Sequence, residues 1–153
     1  MVHALREIWR VLIPGGMLLD LRPRPQSRPI EVIRGRDVRA VETLAASEGF
    51  IADERASDAA LRQVVDGGWF VPEGKTEFEF SYYWDSVEEM KGFMEANWRR
   101  RGVMSSRPAW EAARRALTAQ GQGARLRCRE RITLVTYQRL DSSARAVTER
   151  SAR

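Results

Sequence analysis

The chain has 153 residues, 43% of them hydrophobic, and a formal net charge of +5. That length suffices for one domain burying about two-thirds of its unfolded surface, and five tryptophans argue against disorder. A single cysteine, Cys128, and a single histidine, His3, exclude a disulfide framework and argue against a zinc site. We expect a cytoplasmic protein, because the sequence has neither a long apolar run nor a signal-peptide pattern.

The first predicted elements are a helix, a tight turn and a strand. Four apolar residues recur at the i, i+3, i+4 and i+7 spacing of one helix face: Leu5, Ile8, Trp9 and Leu12. Pro14 ends that helix, and Gly15-Gly16 supplies the backbone freedom of a turn. The apolar run from Met17 to Leu21 is typical of a strand buried on both faces inside a parallel sheet.

A stiff loop, a hairpin and a second helix are predicted next. Prolines alternate with polar residues from Arg22 to Pro29, which favours an extended loop. The turn sequence Arg34-Gly35-Arg36-Asp37 lies between two alternating segments and predicts a short hairpin that ends at Leu44. Small residues and valines recur at helical spacing from Asp53 to Asp66. They predict a helix that ends at Gly67-Gly68.

The aromatic segment from Thr76 to Trp84 predicts a strand with one buried side. Its even-numbered positions form that side: Phe78, Phe80, Tyr82 and Trp84. Ser86 and Glu89 then form a capping box at the start of a helix. A further helix begins at Pro108 and ends at the Gly121-Gln122-Gly123 break.

The last predicted element is a long strand from Arg125 to Leu140. Its first half places arginines on one face: Arg125, Arg127, Arg129 and Arg131. Its second half is apolar or β-branched on both faces, as in a strand that begins at a solvated rim and ends inside a sheet. The segment 141–153 has little to bury and is predicted to be a disordered tail.

The motif Arg10-Val11-Leu12 followed by Pro14-Gly15-Gly16 and an apolar strand resembles the segment around the fifth strand of class I S-adenosylmethionine-dependent methyltransferases. The resemblance implies an α/β fold: a partial Rossmann-like methyltransferase sheet from the fifth strand onward, with an antiparallel closing strand and an inserted α+β substrate-side layer. Residues 1–140 would form the C-terminal part of that domain, and Arg125–Leu140 its closing strand. The family's Gly-rich cofactor loop and acidic residue precede this segment, so this chain supplies no cofactor-binding residues.

Three residues are candidates for substrate binding, and no catalytic residue is assigned. Ligands of open α/β sheets lie beyond the carboxyl ends of strands, which points to Asp20 and Arg22. A simple ion pair between the two is the stronger interpretation. Tyr83 is a pocket candidate because it lies on the face opposite the predicted core residues. A solvated His3 and a buried, inert Cys128 are expected.

Three functions follow in order of preference. The first is a methyltransferase-like protein, truncated and inactive alone, which retains elements for a small-molecule acceptor. S-adenosylmethionine is then the family's cofactor, but we expect no tight binding by this chain. The second is a non-catalytic binding or dimerisation module. For the isolated chain we expect self-association through an exposed strand edge at Met17–Leu21. The third is a basic nucleic-acid-binding domain, for which Arg99-Arg100-Arg101 is the densest charge run, although a solvated helix end explains that run better.

Overall fold

The computed structural model describes residues 1–24, 26–98 and 106–141. The Arg99–Arg101 run and residues 142–153 of the predicted tail lie outside the described residues. Helices and strands follow in this order: α1 (Val2–Val11), β1 (Met17–Pro23), β2 (Arg28–Arg34), β3 (Asp37–Leu44), α2 (Glu48–Asp66), β4 (Phe70–Trp84), α3 (Val87–Asn97), α4 (Arg107–Gln120) and β5 (Arg125–Arg139). The fold is therefore mixed α/β, and β5 occupies the place predicted for the last strand.

An open, antiparallel five-stranded sheet organises the chain around β5. The strand order is β1-β5-β2-β3, and β4 also pairs with β5. The two halves of β5 have different partners, because Leu18 of β1 lies opposite Tyr137 while Ile30 of β2 lies opposite Cys128. The antiparallel arrangement of the predicted last strand is confirmed.

The prediction that Met17–Leu21 is buried on both faces of a parallel sheet is wrong. β1 pairs with β5 in the antiparallel sense and stands at the end of the strand order. Met17, Leu19 and Leu21, which alternate on one face, are each more than half exposed. A continuous apolar run shows that both faces of a strand tolerate burial, but it carries no information on whether another layer covers them.

The chain divides into two compact units, and the first comprises Met1–Pro23, Ala52–Phe78 and the chain from Ile132 onward. Its apolar core is formed by α1, α2 and strand residues: Leu5, Ala60, Leu61, Val64, Phe70 and Tyr137. The predicted face of α1 packs against this core through Ile8, Trp9 and Leu12. The predicted second helix is confirmed over Asp53–Asp66, but it begins earlier, at Glu48, because the Ser47 hydroxyl accepts a hydrogen bond from the Phe50 amide.

The second unit comprises Arg24–Ile51 and Glu79–Arg131. It contains the β2–β3 hairpin, whose predicted turn is confirmed by the Arg34–Asp37 pair and a positive φ of 58° at Gly35. The Ser86 half of the capping box is confirmed, since the Ser86 hydroxyl accepts from the Glu89 amide at 3.1 Å. The Glu89 carboxylate accepts from the amide of Asp85, one residue before the N-cap, at 3.0 Å. Three core residues of the unit come from α3: Val87, Met90 and Met94.

The predicted buried face of β4 is correct only at its end. Trp84 is buried and Tyr82 is half-buried, but Phe78 and Phe80 are 42% and 46% exposed. Trp84 and Tyr82 pack with Phe93 of α3, whose helix follows β4 directly. Alternation places the four aromatic side chains on one face, whereas burial depends on which part of the strand has a helix against it.

Candidate functional site

Asp20 and Arg22 lie on the same face of β1, two residues apart, and they form an ion pair. The Arg22 Nε atom donates to both carboxylate oxygens of Asp20, at 2.8 and 3.0 Å. Each side chain is less than one-fifth exposed. The geometry is therefore that of the ion pair, which was the stronger interpretation of these two residues in the sequence.

Two carboxylates of α2 complete the surroundings of Arg22. Its Nη1 donates to Glu54 at 3.3 Å and its Nη2 donates to Asp58 at 2.7 Å. Sequence reasoning missed both acidic residues, although their i, i+4 spacing on a helix places them on one face. We call Asp20, Arg22, Glu54 and Asp58 the Arg22 cluster. It holds three carboxylates around one guanidinium.

The electrostatics of the Arg22 cluster keep the guanidinium charged. Partial burial lowers the pKa of Arg22, but hydrogen bonds to Asp20 and Asp58 raise it, and the net shift is upward. The nearby Tyr137 hydroxyl also has a raised pKa, chiefly because burial disfavours the phenolate, with Asp20 adding to the effect. A substrate amine that bound Asp20 would have to compete with Arg22 for the same carboxylate.

Tyr83 belongs to the second unit, while Asp20 and Arg22 belong to the first. Its side chain is exposed, and the Arg125 guanidinium lies 5.5 Å from the centre of its ring. This is the geometry of a cation–π contact on a sheet surface. The structure thus brings Asp20 and Arg22 together and gives Tyr83 a different neighbour.

Three of the four arginines that alternate along the first half of β5 are paired with acidic side chains. Arg127 and Arg129 both lie 2.7 Å from carboxylate oxygens of Glu31, and Arg129 also contacts Glu79. Arg125 donates to Asp85 at 2.6 Å. The hydrogen bond to Glu31 raises the pKa of Arg129. Much of the positive charge that suggested a nucleic-acid surface is therefore balanced within the sheet.

The remaining reactive side chains have ordinary structural surroundings. Cys128 is buried in the core of the second unit, and burial raises the pKa of its thiol to about 12. Such a thiol is inert near neutral pH, as expected from its place on an apolar strand face. His3 is exposed on α1. Within the described ranges, no set of three or more His, Cys, Asp or Glu side chains is arranged to hold a metal ion.

Comparisons with protein-family models, with curated proteins and with solved structures give no match to this chain. Among residues 1–24, 26–98 and 106–141, no helix is long and apolar enough to cross a membrane.

Proposed function

We propose that this chain supplies the acceptor side of a methyltransferase-like domain, corresponding to that fold from its fifth strand onward. The observation that carries the proposal is the pairing of β5 with both β1 and β4 in an antiparallel sheet that follows the Arg-Val-Leu-x-Pro-Gly-Gly motif. The family resemblance implies an antiparallel closing strand. The antiparallel pairing of β5 with β1 supports the proposal.

The turn within the motif supports the same assignment. Gly15 has a positive φ of 75°, a conformation that residues with a side chain rarely adopt. The Gly15 amide donates to the Arg139 carbonyl, and the Arg139 amide donates to the Gly16 carbonyl at 2.8 Å. The Pro-Gly-Gly turn therefore joins β1 to the end of the closing strand by backbone hydrogen bonds, independently of any side chain.

In this proposal the Rossmann-like relationship gives S-adenosylmethionine as the methyl donor of the complete domain, and a small molecule as the acceptor. Methyl transfer depends largely on holding donor and acceptor in line, so positioning groups matter more than a fixed set of catalytic residues. Asp20 and Arg22 are the proposed acceptor-side residues. We expect this chain alone to bind the donor weakly, because the proposal gives it no groups for the carboxypropyl and ribose ends.

Two measurements test the proposal together. Calorimetric titration of the 153-residue chain with S-adenosylmethionine should give no micromolar binding. Such binding would contradict the proposal that this chain supplies the acceptor side and no donor-binding groups. Reading the DNA upstream of the start codon should reveal an in-frame continuation that encodes a Gly-rich strand-loop-helix. A stop codon close upstream would overturn the first proposal and favour a short protein.

The second candidate is a binding or dimerisation module derived from the same fold. One observation favours it: β1 pairs only with β5 in the sheet of the described residues, and its outward face exposes Met17, Leu19 and Leu21. A free strand edge beside an apolar face is a template for another chain. Size-exclusion chromatography with light scattering tests this candidate. The module should be a soluble oligomer, and a compact monomer would count against it.

A further inference from the structure

The backbone groups of β1 point alternately towards β5 and away from it. At one end of the strand, the Arg139 amide donates to the Gly16 carbonyl at 2.8 Å. At the other end, the Arg24 amide donates to the Arg131 carbonyl at 2.9 Å. The register between these two points is unbroken, so the even-numbered residues of β1 bond to β5. The odd-numbered residues therefore direct their N–H and C=O groups towards the open edge.

The outward backbone groups belong to the same residues whose apolar side chains are exposed. These residues are Met17, Leu19 and Leu21, and their exposed fractions are 55%, 61% and 59%. No hydrogen bond joins their outward groups to any residue that the structure describes. Unpaired backbone groups along a strand edge are a template for a further strand. The edge therefore fits an extended strand that itself carries apolar side chains.

Two other strands, β3 and β4, also have a single partner in the sheet of the described residues. Charges on an edge strand oppose pairing with another chain. In β1 the two charged residues, Asp20 and Arg22, lie on the opposite face and bind each other. The other two strands carry several charged side chains: Asp37, Arg39 and Glu42 in β3, and Glu73, Lys75, Glu77 and Glu79 in β4. β1 is thus the edge least protected against pairing.

We propose that the outer edge of β1 pairs with β1 of a second copy of this chain, in the antiparallel direction, about a twofold axis at Leu19. Leu19 then faces Leu19 of the second copy, and Met17 faces Leu21. Each outward N–H of these residues donates to a carbonyl of the other copy, so the two sheets become one. The proposal rests on the second candidate function, the dimerisation module, and specifies its partner, strand and register.

Neighbouring twofold registers satisfy fewer groups. An axis at Asp20 would place this carboxylate opposite its own copy, and Pro23, which has no N–H to donate, would enter the ladder. An axis at Leu18 would shift the pairing into the turn at Gly15-Gly16, outside the strand. With the axis at Leu19, Asp20 faces Leu18, and no like charges stand directly opposite each other. The self-complementary register is therefore the one centred on Leu19.

The contact area fits a reversible dimer. Three apolar side chains and one strand edge from each copy bury roughly 1,000 Å² together, which is near the lower limit for a specific interface. Interfaces of that size belong to weak or transient complexes. We therefore expect a dissociation constant on the order of 10 µM.

A disulfide cross-link tests the register. The Cα atoms of a hydrogen-bonded antiparallel pair are about 5.5 Å apart, a distance that a disulfide spans. Under mild oxidation, Leu19→Cys should therefore form covalent dimers. Met17→Cys alone should form none, but a mixture of Met17→Cys and Leu21→Cys chains should cross-link. Val38→Cys on β3 is the control and should stay monomeric on a non-reducing gel, while the native Cys128 is buried and does not contribute.

A backbone variant separates strand pairing from general apolar association. The Leu19 N–H points away from β5, so Leu19→Pro removes a bond between copies and none within the chain. We expect this variant to raise the dissociation constant by about tenfold or more in analytical ultracentrifugation. Leu19→Val keeps the N–H and an apolar side chain, so it should stay within about threefold of the wild type. Circular dichroism confirms that each variant folds.

The outcomes separate this proposal from the function on which it rests. A dimer that neither cross-links through Leu19→Cys nor responds to Leu19→Pro would overturn pairing through β1, while a dimerisation module with another interface would stand. A chain that stays monomeric over the whole concentration series would overturn both. Cross-linking of Val38→Cys as efficient as that of Leu19→Cys would also overturn the proposal, because random collision would then explain the covalent dimers.

Discussion

The Nε atom of Arg28 lies 2.7 Å from the Oε1 atom of Glu130, and both side chains are almost completely buried. β2 and β5 hold the pair beside the core of the second unit. The guanidinium also lies 5.2 Å from the ring centre of Phe50 and 5.6 Å from that of Trp98. Aromatic faces thus replace part of the hydration that the cation loses on folding.

Removing one member of this pair should be far more harmful than removing both. Arg28→Met leaves the Glu130 carboxylate buried without its cation, so we expect a loss of about 3–5 kcal/mol in the free energy of unfolding. The double variant Arg28→Met with Glu130→Leu should recover most of that loss, because apolar residues need no charge partner. Urea denaturation measures all three proteins. A double variant as unstable as Arg28→Met would show that the pair itself is required.

Arg22 should stabilise the first unit chiefly by neutralising carboxylates. Arg22→Met leaves Asp20, Glu54 and Asp58 close together, so the variant should lose about 2–4 kcal/mol near pH 7. Urea denaturation at pH 7 measures the loss. Arg114→Met is the control, since removal of its exposed pair with Glu88 should cause no comparable loss.

The Cys128 thiol predicts a stability change at alkaline pH. Its pKa is about 12 in the folded chain, above its ordinary value of 9.0, because burial disfavours the thiolate. The folded state therefore binds this proton more tightly than the unfolded state does. The resulting stabilisation is fully present below the ordinary value and is lost as the pH rises towards 12.

Comparison with Cys128→Ala isolates that contribution. Between about pH 9 and pH 10 the wild type should lose up to roughly 1.4 kcal/mol more stability than the variant. All other ionisable groups are common to both proteins, so their effects cancel in the difference. Alkylation of native Cys128 should also proceed only after unfolding. Parallel pH profiles, together with fast alkylation of the folded chain, would contradict a buried neutral thiol.

Local sequence patterns predicted the helices, strands and turns well. The Ser86 half of the capping box and the Arg34–Asp37 turn depend on residues within four positions of each other, and both occur as predicted. The turn at Gly15-Gly16 requires a backbone conformation that glycine adopts easily. In these cases the chemistry that fixes the structure is contained in the local sequence.

Contacts between residues far apart in the chain could not be predicted from the sequence. Arg22 meets Glu54 and Asp58 across 32 and 36 positions, and no local pattern specifies that α2 turns those two carboxylates towards β1. Likewise Leu19 has the composition of a buried strand residue but lies on an uncovered face. Such outcomes depend on which elements pack together, which is a property of the tertiary arrangement.

The uncovered face of β1 gives the last prediction, which concerns self-association. If chains pair through this edge, Leu19 contributes apolar area at the centre of the new interface. Leu19→Lys should therefore raise the dissociation constant of the oligomer by about tenfold or more, because a buried leucine contributes about 1.5–3 kcal/mol and an edge lysine opposes strand pairing. Analytical ultracentrifugation over a concentration series measures that constant.

Val38→Lys provides the matched control. Val38 is also an exposed apolar residue, and it lies on β3 at the other end of the strand order. Pairing through β1 predicts that this substitution leaves the oligomer intact, whereas general stickiness of exposed apolar side chains predicts equal effects of the two lysines. A wild-type chain that stays monomeric throughout the series would refute association through β1. The comparison therefore separates a specific strand edge from non-specific hydrophobic contact.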